Sequence, residues 1–449
     1  MIRNVTTILI VALVVGGALV RLAERDQTFF GDEMWVLEFV GKGLYVPHAV
    51  PQPPLFFYSA VAASGVCGMG ESCLRAPAEI AAVLLTLIPL LVWRTTRVLQ
   101  PAGAIVWTVL LAFSSPLSFY AARAKQYSLE ALGCAVILWL FVRALEEPRR
   151  WRTFAIVSAF LVATLHSPVF VLAATGIAGL LLQDRKRLLA IHAALAAVFA
   201  AAYFGYMRPG AEVARYFGDL EEYFTADLPA FWDGSIGFLW SQTRLWVAQM
   251  LNLTRGLAFC LALGIAAWLW RKRDATLAII TLAPIALVLL ASALRLYPYG
   301  EVRLMIFLLP GLSLAFALAV QTFDRIPVAA VVAVLLIVFV VRGVRDDPYN
   351  STYMHVDDLR RSYEWLQARR QPGTPVVVRE FDVRPLRHYV GMPVADVVAV
   401  PPGAAQVTVN ASEYWTFLRD HDAVRVTPPA GRVEEVREGR MRLSRWRGS

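Results

Sequence analysis

Charge is scarce in this chain. Only 17% of its 449 residues are Asp, Glu, Lys or Arg, against roughly a quarter in an ordinary soluble domain. That shortage argues against a chain of two or three soluble domains, which the length alone would suggest. Lysine is scarcer still, at only Lys42, Lys125, Lys186 and Lys272, so the net charge of +9 is mostly arginine. Cysteine is also rare. Four are too few for a disulfide framework. Cys134 and Cys260 fall in apolar runs and read as core thiols. Cys67 and Cys73 flank a Gly-Met-Gly-Glu-Ser loop, and can pair only if that loop faces an oxidising compartment. Spacing does not decide it.

Apolar residues are abundant: 58% of the chain is hydrophobic, and mean hydropathy is +0.55. Several runs approach the roughly 20 residues that cross a bilayer. They fall near 5–20, 79–93, 102–119, 128–142, 153–171, 169–182, 188–206, 247–270, 275–294, 303–320 and 327–341. The first has no convincing cleavage site behind it and suits a membrane helix better than a signal peptide. Leu55–Val66 is short for a crossing and suits an interfacial or re-entrant helix. The sequence thus predicts an all-α polytopic membrane bundle of about eleven transmembrane helices.

Basic residues sit between the apolar runs, so membrane topology explains them more simply than nucleic acid does. With the N-terminus in the cytoplasm, the inner loops are Arg94/Arg97, Arg143 to Arg152, Arg185-Lys186-Arg187, Arg271-Lys272-Arg273 and Arg325. All are short and basic, which is the positive-inside pattern. The outer segments, including loops 21–54 and 207–246, are longer, more acidic and aromatic. An odd number of crossings leaves the tail outside.

Residues 1–343 therefore read as a membrane domain and 344–449 as a small extracytoplasmic α/β domain. In the tail, His355–Arg370 and Ser412–Asp420 read as helices. Pro375–Arg379, Val424–Thr427, Arg432–Arg437 and Met441–Trp446 read as strands. The tail has no metal cluster and no glycine-rich phosphate loop. A stabilising or acceptor-recognising appendage is the favoured reading.

This topology gathers the unusual residues on the outer side. Gly31-Asp32-Glu33 follows the first run. A carboxylate there can take a proton from a hydroxyl or amine nucleophile; the spacing alone favours Asp32 as the N-cap of a helix over Glu33–Val40. Gln52-Pro53-Pro54-Leu55-Phe56-Phe57-Tyr58 suits a helix start with an aromatic belt, or a lipid-facing groove. Tyr120 to Glu130 holds Arg123 and Lys125, two cations outside against the general trend. A phosphate would explain them, as would lipid headgroups or pairing with Glu130. Tyr297-Pro-Tyr-Gly-Glu-Val-Arg303 puts an arginine at a helix start, where anions are favoured; pairing with Glu301 or snorkelling is the plainer account. His166-Ser167-Pro168, at a turn between two runs, is given at most a supporting role.

In order along the chain, the Asp-Glu pair, Pro-Pro-Leu with aromatics, Arg-x-Lys-Gln-Tyr-Ser-Leu-Glu and Tyr-Pro-Tyr-Gly-x-x-Arg resemble the GT-C membrane glycosyltransferases. The likeness is to the branch related to protein O-mannosyltransferases and lipid A aminoarabinose transferases, over roughly residues 1–340. It implies a polyprenyl-phosphate monosaccharide donor, an inverting single displacement, an extracytoplasmic acceptor and a bacterial inner-membrane location. It implies Asp32 as the catalytic carboxylate with Glu33 beside it. Arg123, Lys125 and Arg303 are the candidates for the donor phosphate, more on charge than on motif. Gln52, Tyr58, Tyr127, Tyr297 and Tyr299 are candidates for the substrate groove. Many relatives carry His where this chain has Gln52, and His48 lies at a different spacing. Some GT-C enzymes use a divalent metal; a lone Asp-Glu pair does not establish a site for one. A transporter or lipid flippase is the rival reading. Such proteins usually carry ionisable groups at the midplane and internal repeats, and these runs show little of the first and none of the second.

Overall fold

The structure is a computed structural model. It describes residues 2–22, 29, 31–43, 52–182, 184–209, 232, 234–250, 275–299, 302–321, 334, 360–379, 383–401, 404, 406–409, 411, 413–419, 425–427, 431–438 and 441–447. Contacts divide the chain into two compact units, 1–25 with 42–349, and 26–41 with 350–449.

The first unit is a helical bundle. Six of its described helices are long and apolar enough to cross a membrane: Arg3–Leu22, Glu71–Thr95, Tyr127–Glu146, Arg185–Met207, Ala275–Ala293 and Arg303–Val320. A bent pair, Pro101–Ala112 and Ser115–Ala121, makes a seventh if it counts as one span. Pro54–Cys67 and Pro168–Gly179 are apolar but shorter. At 14 residues the first of these is about 21 Å long, well under the roughly 30 Å of a hydrocarbon core. Residues 251–270, and all of 327–341 except Val334, lie outside the described residues. We number the bundle helices α1 (Ile2–Leu22), α3 (Pro54–Cys67), α4 (Glu71–Thr95), α5 (Pro101–Ala112), α6 (Ser115–Ala121), α7 (Tyr127–Glu146), α8 (Trp151–Thr164), α9 (Pro168–Gly179), α10 (Arg185–Ala202), α11 (Ile236–Met250), α12 (Ala275–Ala293), α13 (Val302–Met305) and α14 (Leu309–Val320). Helix α11 occupies part of the segment expected as outer loop 207–246; the rest of that loop up to Phe231 is described only as far as Pro209.

These helices expose large apolar side chains, among them Ile8, Leu19, Ile80, Ile156 and Phe204. Water does not tolerate such continuous apolar faces, whereas lipid does. Small residues let the helices approach closely. A Cβ on Gly17 of α1 would lie 2.7 Å from the Ala112 carbonyl, and one on Gly311 of α14 3.0 Å from that of Thr281.

Hydrogen bonds mark the two ends of the bundle. At one, the Arg94 guanidinium donates to Thr7 Oγ1. The Arg97 amide donates to Glu146 at 2.7 Å, and Gln321 bridges the Gln100 amide and the Val98 carbonyl at 3.0 Å each. At the other, Arg21 Nη2 donates to the Leu111 and Ala112 carbonyls at 3.1 and 3.0 Å. Those carbonyls end α5 just before its 54° break with α6. A cation at a helix C-terminus is favoured by the dipole, so Arg21 caps the break. Ser114, in the break, donates to the Met250 carbonyl at 2.8 Å. The question left open for Cys67 and Cys73 has an answer: they form a disulfide with Cα atoms 5.8 Å apart.

The second unit contains α2 (Gly31–Lys42), α15 (Arg360–Arg369), α16 (Val383–Val390) and seven strands. These are β1 (Val376–Arg379), β2 (Val397–Val400), β3 (Gln406–Thr408), β4 (Glu413–Arg419), β5 (Arg425–Thr427), β6 (Gly431–Glu438) and β7 (Met441–Arg447). Five form one sheet in the order β2-β1-β4-β7-β6; β1 runs parallel to β2 and β4, while β7 runs antiparallel to β4 and β6. Strands β3 and β5 pair separately. Val376, Val378, Trp415, Phe417 and Leu443 pack with Tyr363, Leu366 and Leu386 of the two helices, whereas Val377 and Tyr414 belong to the opposite face. Residues 413–419, expected as helix, are a strand. The reason is burial on both faces: Tyr414 to Leu418 are all buried in a central strand, which erases the alternation that marks a half-exposed one.

Candidate functional site

The sequence candidates divide between the two units. Asp32 and Glu33 lie in the second, within the first turn of α2. Asp32 was expected as a possible N-cap of a helix beginning at Glu33, but the helix already includes Gly31 and so takes Asp32 in. The Glu33 side chain is fully buried. Ahead of the helix, the Phe29 amide donates to the Tyr389 hydroxyl at 2.7 Å, and the Phe29 ring lies 6.3 Å from that of His388. These contacts tie the Asp32 segment to α16. Nothing in its local sequence announced them, because the partners are ordinary aromatic residues, Tyr389 lying 360 positions away.

The remaining candidates lie in the bundle. Gln52 is buried just ahead of α3, and Tyr58 is half exposed on it, edge-on to Phe57. Arg123 is buried, its guanidinium 4.8 Å above the Phe119 ring. Lys125 and Tyr127 are also buried, and the Tyr127 ring stands edge-on to Tyr120 at 4.7 Å. Tyr299 is buried, shares a 2.6 Å hydrogen bond with Thr243 and meets Trp246 edge-on. Burial raises its hydroxyl pKa, so it is a neutral phenol. Arg303 is half-buried in α13. Helix α6, which leads into Arg123, packs against both α11 and α13. Arg123 and Arg303 thus belong to segments that both adjoin α6 and α11, and α11 carries the Thr243 bonded to Tyr299.

The sequence placed little weight on the turn 166–168, yet it holds a connected polar cluster at this end of the bundle. The buried Glu130 carboxylate accepts a hydrogen bond from Ser167 Oγ and is faced by the backbone N–H groups of His166 and Ser167. His166 Nδ1 lies 3.9 Å from it, with the ring 6.0 Å from that of Tyr206. Ser167 Oγ is 3.4 Å from the Tyr297 hydroxyl, which donates to the Leu304 carbonyl at 3.0 Å. Burial, and secondly Glu130, push the Tyr297 pKa well up, so this hydroxyl keeps its proton. The signal available in the sequence was Ser-Pro at a helix start, Ser167 at the N-cap and Pro168 at N1. That signal names a turn, not a carboxylate partner 37 residues away. Among the described residues, no three His, Cys, Asp or Glu side chains are grouped to hold a metal ion.

Comparison with solved structures finds this fold elsewhere. The chain is similar to ArnT from Cupriavidus metallidurans bound to undecaprenyl phosphate, with a TM-score of 0.60 and 11% identity over 97% of each chain. It is likewise similar to the apo state of the same enzyme, with a TM-score of 0.58 and 13% identity over 97% of each chain. The fold is therefore that of ArnT, a lipid A aminoarabinose transferase of the GT-C type. No protein-family model and no curated protein matches the sequence.

Proposed function

We propose that this protein is an inverting glycosyltransferase of the bacterial inner membrane, moving a monosaccharide from a polyprenyl-phosphate donor to an extracytoplasmic acceptor. The observation that carries this reading is the fold, shared along 97% of both chains with an ArnT structure that holds undecaprenyl phosphate. In the proposed reaction an acceptor hydroxyl or amine attacks the anomeric carbon. The bond from that carbon to the phosphate oxygen breaks, and polyprenyl phosphate leaves. Asp32 takes the nucleophile's proton, and Glu33 is its neighbour in the pair. Arg123, Lys125 and Arg303 bind the phosphate and stabilise the charge that grows on it, usually the largest single contribution to such catalysis. Gln52, Tyr58, Tyr127, Tyr297 and Tyr299 line the path of the substrate.

The proposed topology has eleven crossings, a cytoplasmic N-terminus and residues 344–449 outside. Two features support it. Arg94, Arg97, Arg149 and Arg150 gather at one end of the bundle, as cytoplasmic loops require. The Cys67–Cys73 disulfide lies at the start of α4, the opposite end of that helix from Arg94, as an oxidising exterior requires.

The test is sugar transfer in proteoliposomes with a panel of polyprenyl-phosphate monosaccharides, comparing Asp32→Asn with the parent. Transfer with one donor, reduced by roughly a hundredfold or more in Asp32→Asn, is expected for loss of a general base. Equal turnover would remove Asp32 from the mechanism. Substrate flux without transfer would establish a transporter instead.

A further inference from the structure

Glu130 has no role in the proposed reaction, yet it is buried and bonded to the 166–167 turn. It sits in the first turn of α7, five residues after Lys125 and seven after Arg123. Its carboxylate holds the 166–167 turn through Ser167 Oγ and the two backbone N–H groups. That turn starts α9, whose Phe170 stacks on Phe307 at 5.5 Å and meets Tyr297 edge-on at 5.1 Å. Tyr297 and Phe307 bracket Arg303 in the chain, and Tyr297 is bonded across the bracket to the Leu304 carbonyl. A continuous set of contacts thus runs from the segment with Arg123 and Lys125, through Glu130 and the turn, to the segment with Arg303.

The two hydroxyl protons in this set both have acceptors. Ser167 has one hydroxyl proton, and Glu130 takes it. The Tyr297 proton goes to Leu304. The 3.4 Å contact between the two hydroxyls therefore has no proton of its own. The polar grip is strong on the turn, and the three aromatic rings carry it onward.

We propose that Glu130 is a positioning residue that fixes the spacing between the Arg123/Lys125 segment and the Arg303 segment, and so the fit of the lipid phosphate between them. The proposal rests on the reading of these cations as donor-phosphate contacts. A carboxylate suits the task, since it can accept from a hydroxyl and two N–H groups together. An amide in its place turns one acceptor into a donor facing donors.

The experiment measures binding of undecaprenyl phosphate to the full-length protein in nanodiscs, with thermal unfolding of each variant alongside. Glu130→Gln should weaken binding about tenfold while Tm moves by no more than about 3 °C. In the transfer assay, donor KM should rise and kcat should change less than about twofold. In an Arg303→Gln background, Glu130→Gln should add little, because the residue it positions is gone. Should Glu130→Gln fail to fold, Ser167→Ala and Tyr297→Phe probe the same set of contacts and should each weaken binding by a few-fold. Binding equal to the parent in all three variants, or a full tenfold further loss in the Arg303→Gln background, would overturn the proposal. If the parent itself does not bind undecaprenyl phosphate, the functional reading falls and this inference with it.

Discussion

The two ends of the helical bundle handle positive charge in opposite ways. At the Arg94 end the cations reach water: Arg149 is 80% exposed, and it shares Glu147 with Arg150 and Arg143. At the Glu130 end Arg21, Arg123 and Lys125 are buried. Exposed cations beside a membrane need no ligand, since topology and water account for them. Buried cations in an apolar bundle are costly and are kept where they do something. Arg21 spends its charge on a helix break. Arg123 and Lys125 immediately precede α7 in the chain, and the proposed function gives them the lipid phosphate. On the proposed reading, the difference separates basic residues that orient the protein from basic residues that hold the donor phosphate.

That comparison can be broken in several ways. The largest effect is expected from Lys125→Gln/Arg303→Gln, which should reduce the rate of sugar transfer by a hundredfold or more, roughly the loss of two charged contacts to a leaving phosphate. An intact rate in the double variant would mean that the cations serve only the lipid headgroups. Next is the disulfide. Its closed loop of about seven residues is worth roughly 2 kcal/mol by chain entropy, so Cys67→Ser/Cys73→Ser should lower Tm. After reduction of the parent in intact cells, a membrane-impermeant maleimide should label these thiols from outside, and labelling only after permeabilisation would reverse the orientation. Comparable in size is Arg21→Met, which strips two carbonyls of their donors at about 2 kcal/mol and should lower Tm without changing lipid affinity. A change in affinity alone would move Arg21 from the helix break into the binding site.

The smallest effects belong to exposed pairs. Arg149→Gln should leave lipid affinity within twofold of the parent. In the second unit, Arg445 and then Arg447 hold the Glu413 carboxyl below the usual range. A carboxyl lowered in the folded state stabilises the protein above its unfolded pKa, and that contribution fades as pH falls through the lowered folded value. Unfolding measured below about pH 4.3 should therefore show a small loss of stability with acid that Glu413→Gln abolishes. An unchanged slope in the variant would assign the loss to other carboxyls.

The sequence was legible where one physical signal dominated. Apolar runs located α1, α4, α7 and α12, and short basic loops marked the Arg94 end. Strands β6 and β7 were legible because polar and apolar residues mix along them. Legibility failed where tertiary contacts decide. Residues 413–419 read as helix because a strand buried on both faces has no period of two. The Asp32 segment read as a loop of the membrane domain because its attachment to Tyr389 is invisible locally. Glu130 entered only as one alternative partner for Arg123 and Lys125, since a carboxylate's partner across a turn has no spacing rule. The likeness to GT-C enzymes came from the order of four short motifs, and a fold shared at 11% identity has little more than order to offer.

The most direct test compares two lipids and two arginines. Binding of undecaprenyl phosphate and of phosphate-free undecaprenol to the full-length protein isolates the contribution of the phosphate. The account predicts that the phosphate lipid binds at least about a hundredfold more tightly, in line with two or more charge-assisted contacts, that Arg123→Gln closes most of this gap, and that Arg149→Gln leaves it unchanged. Equal binding of both lipids by the parent, or an equal loss in the two arginine variants, would contradict it.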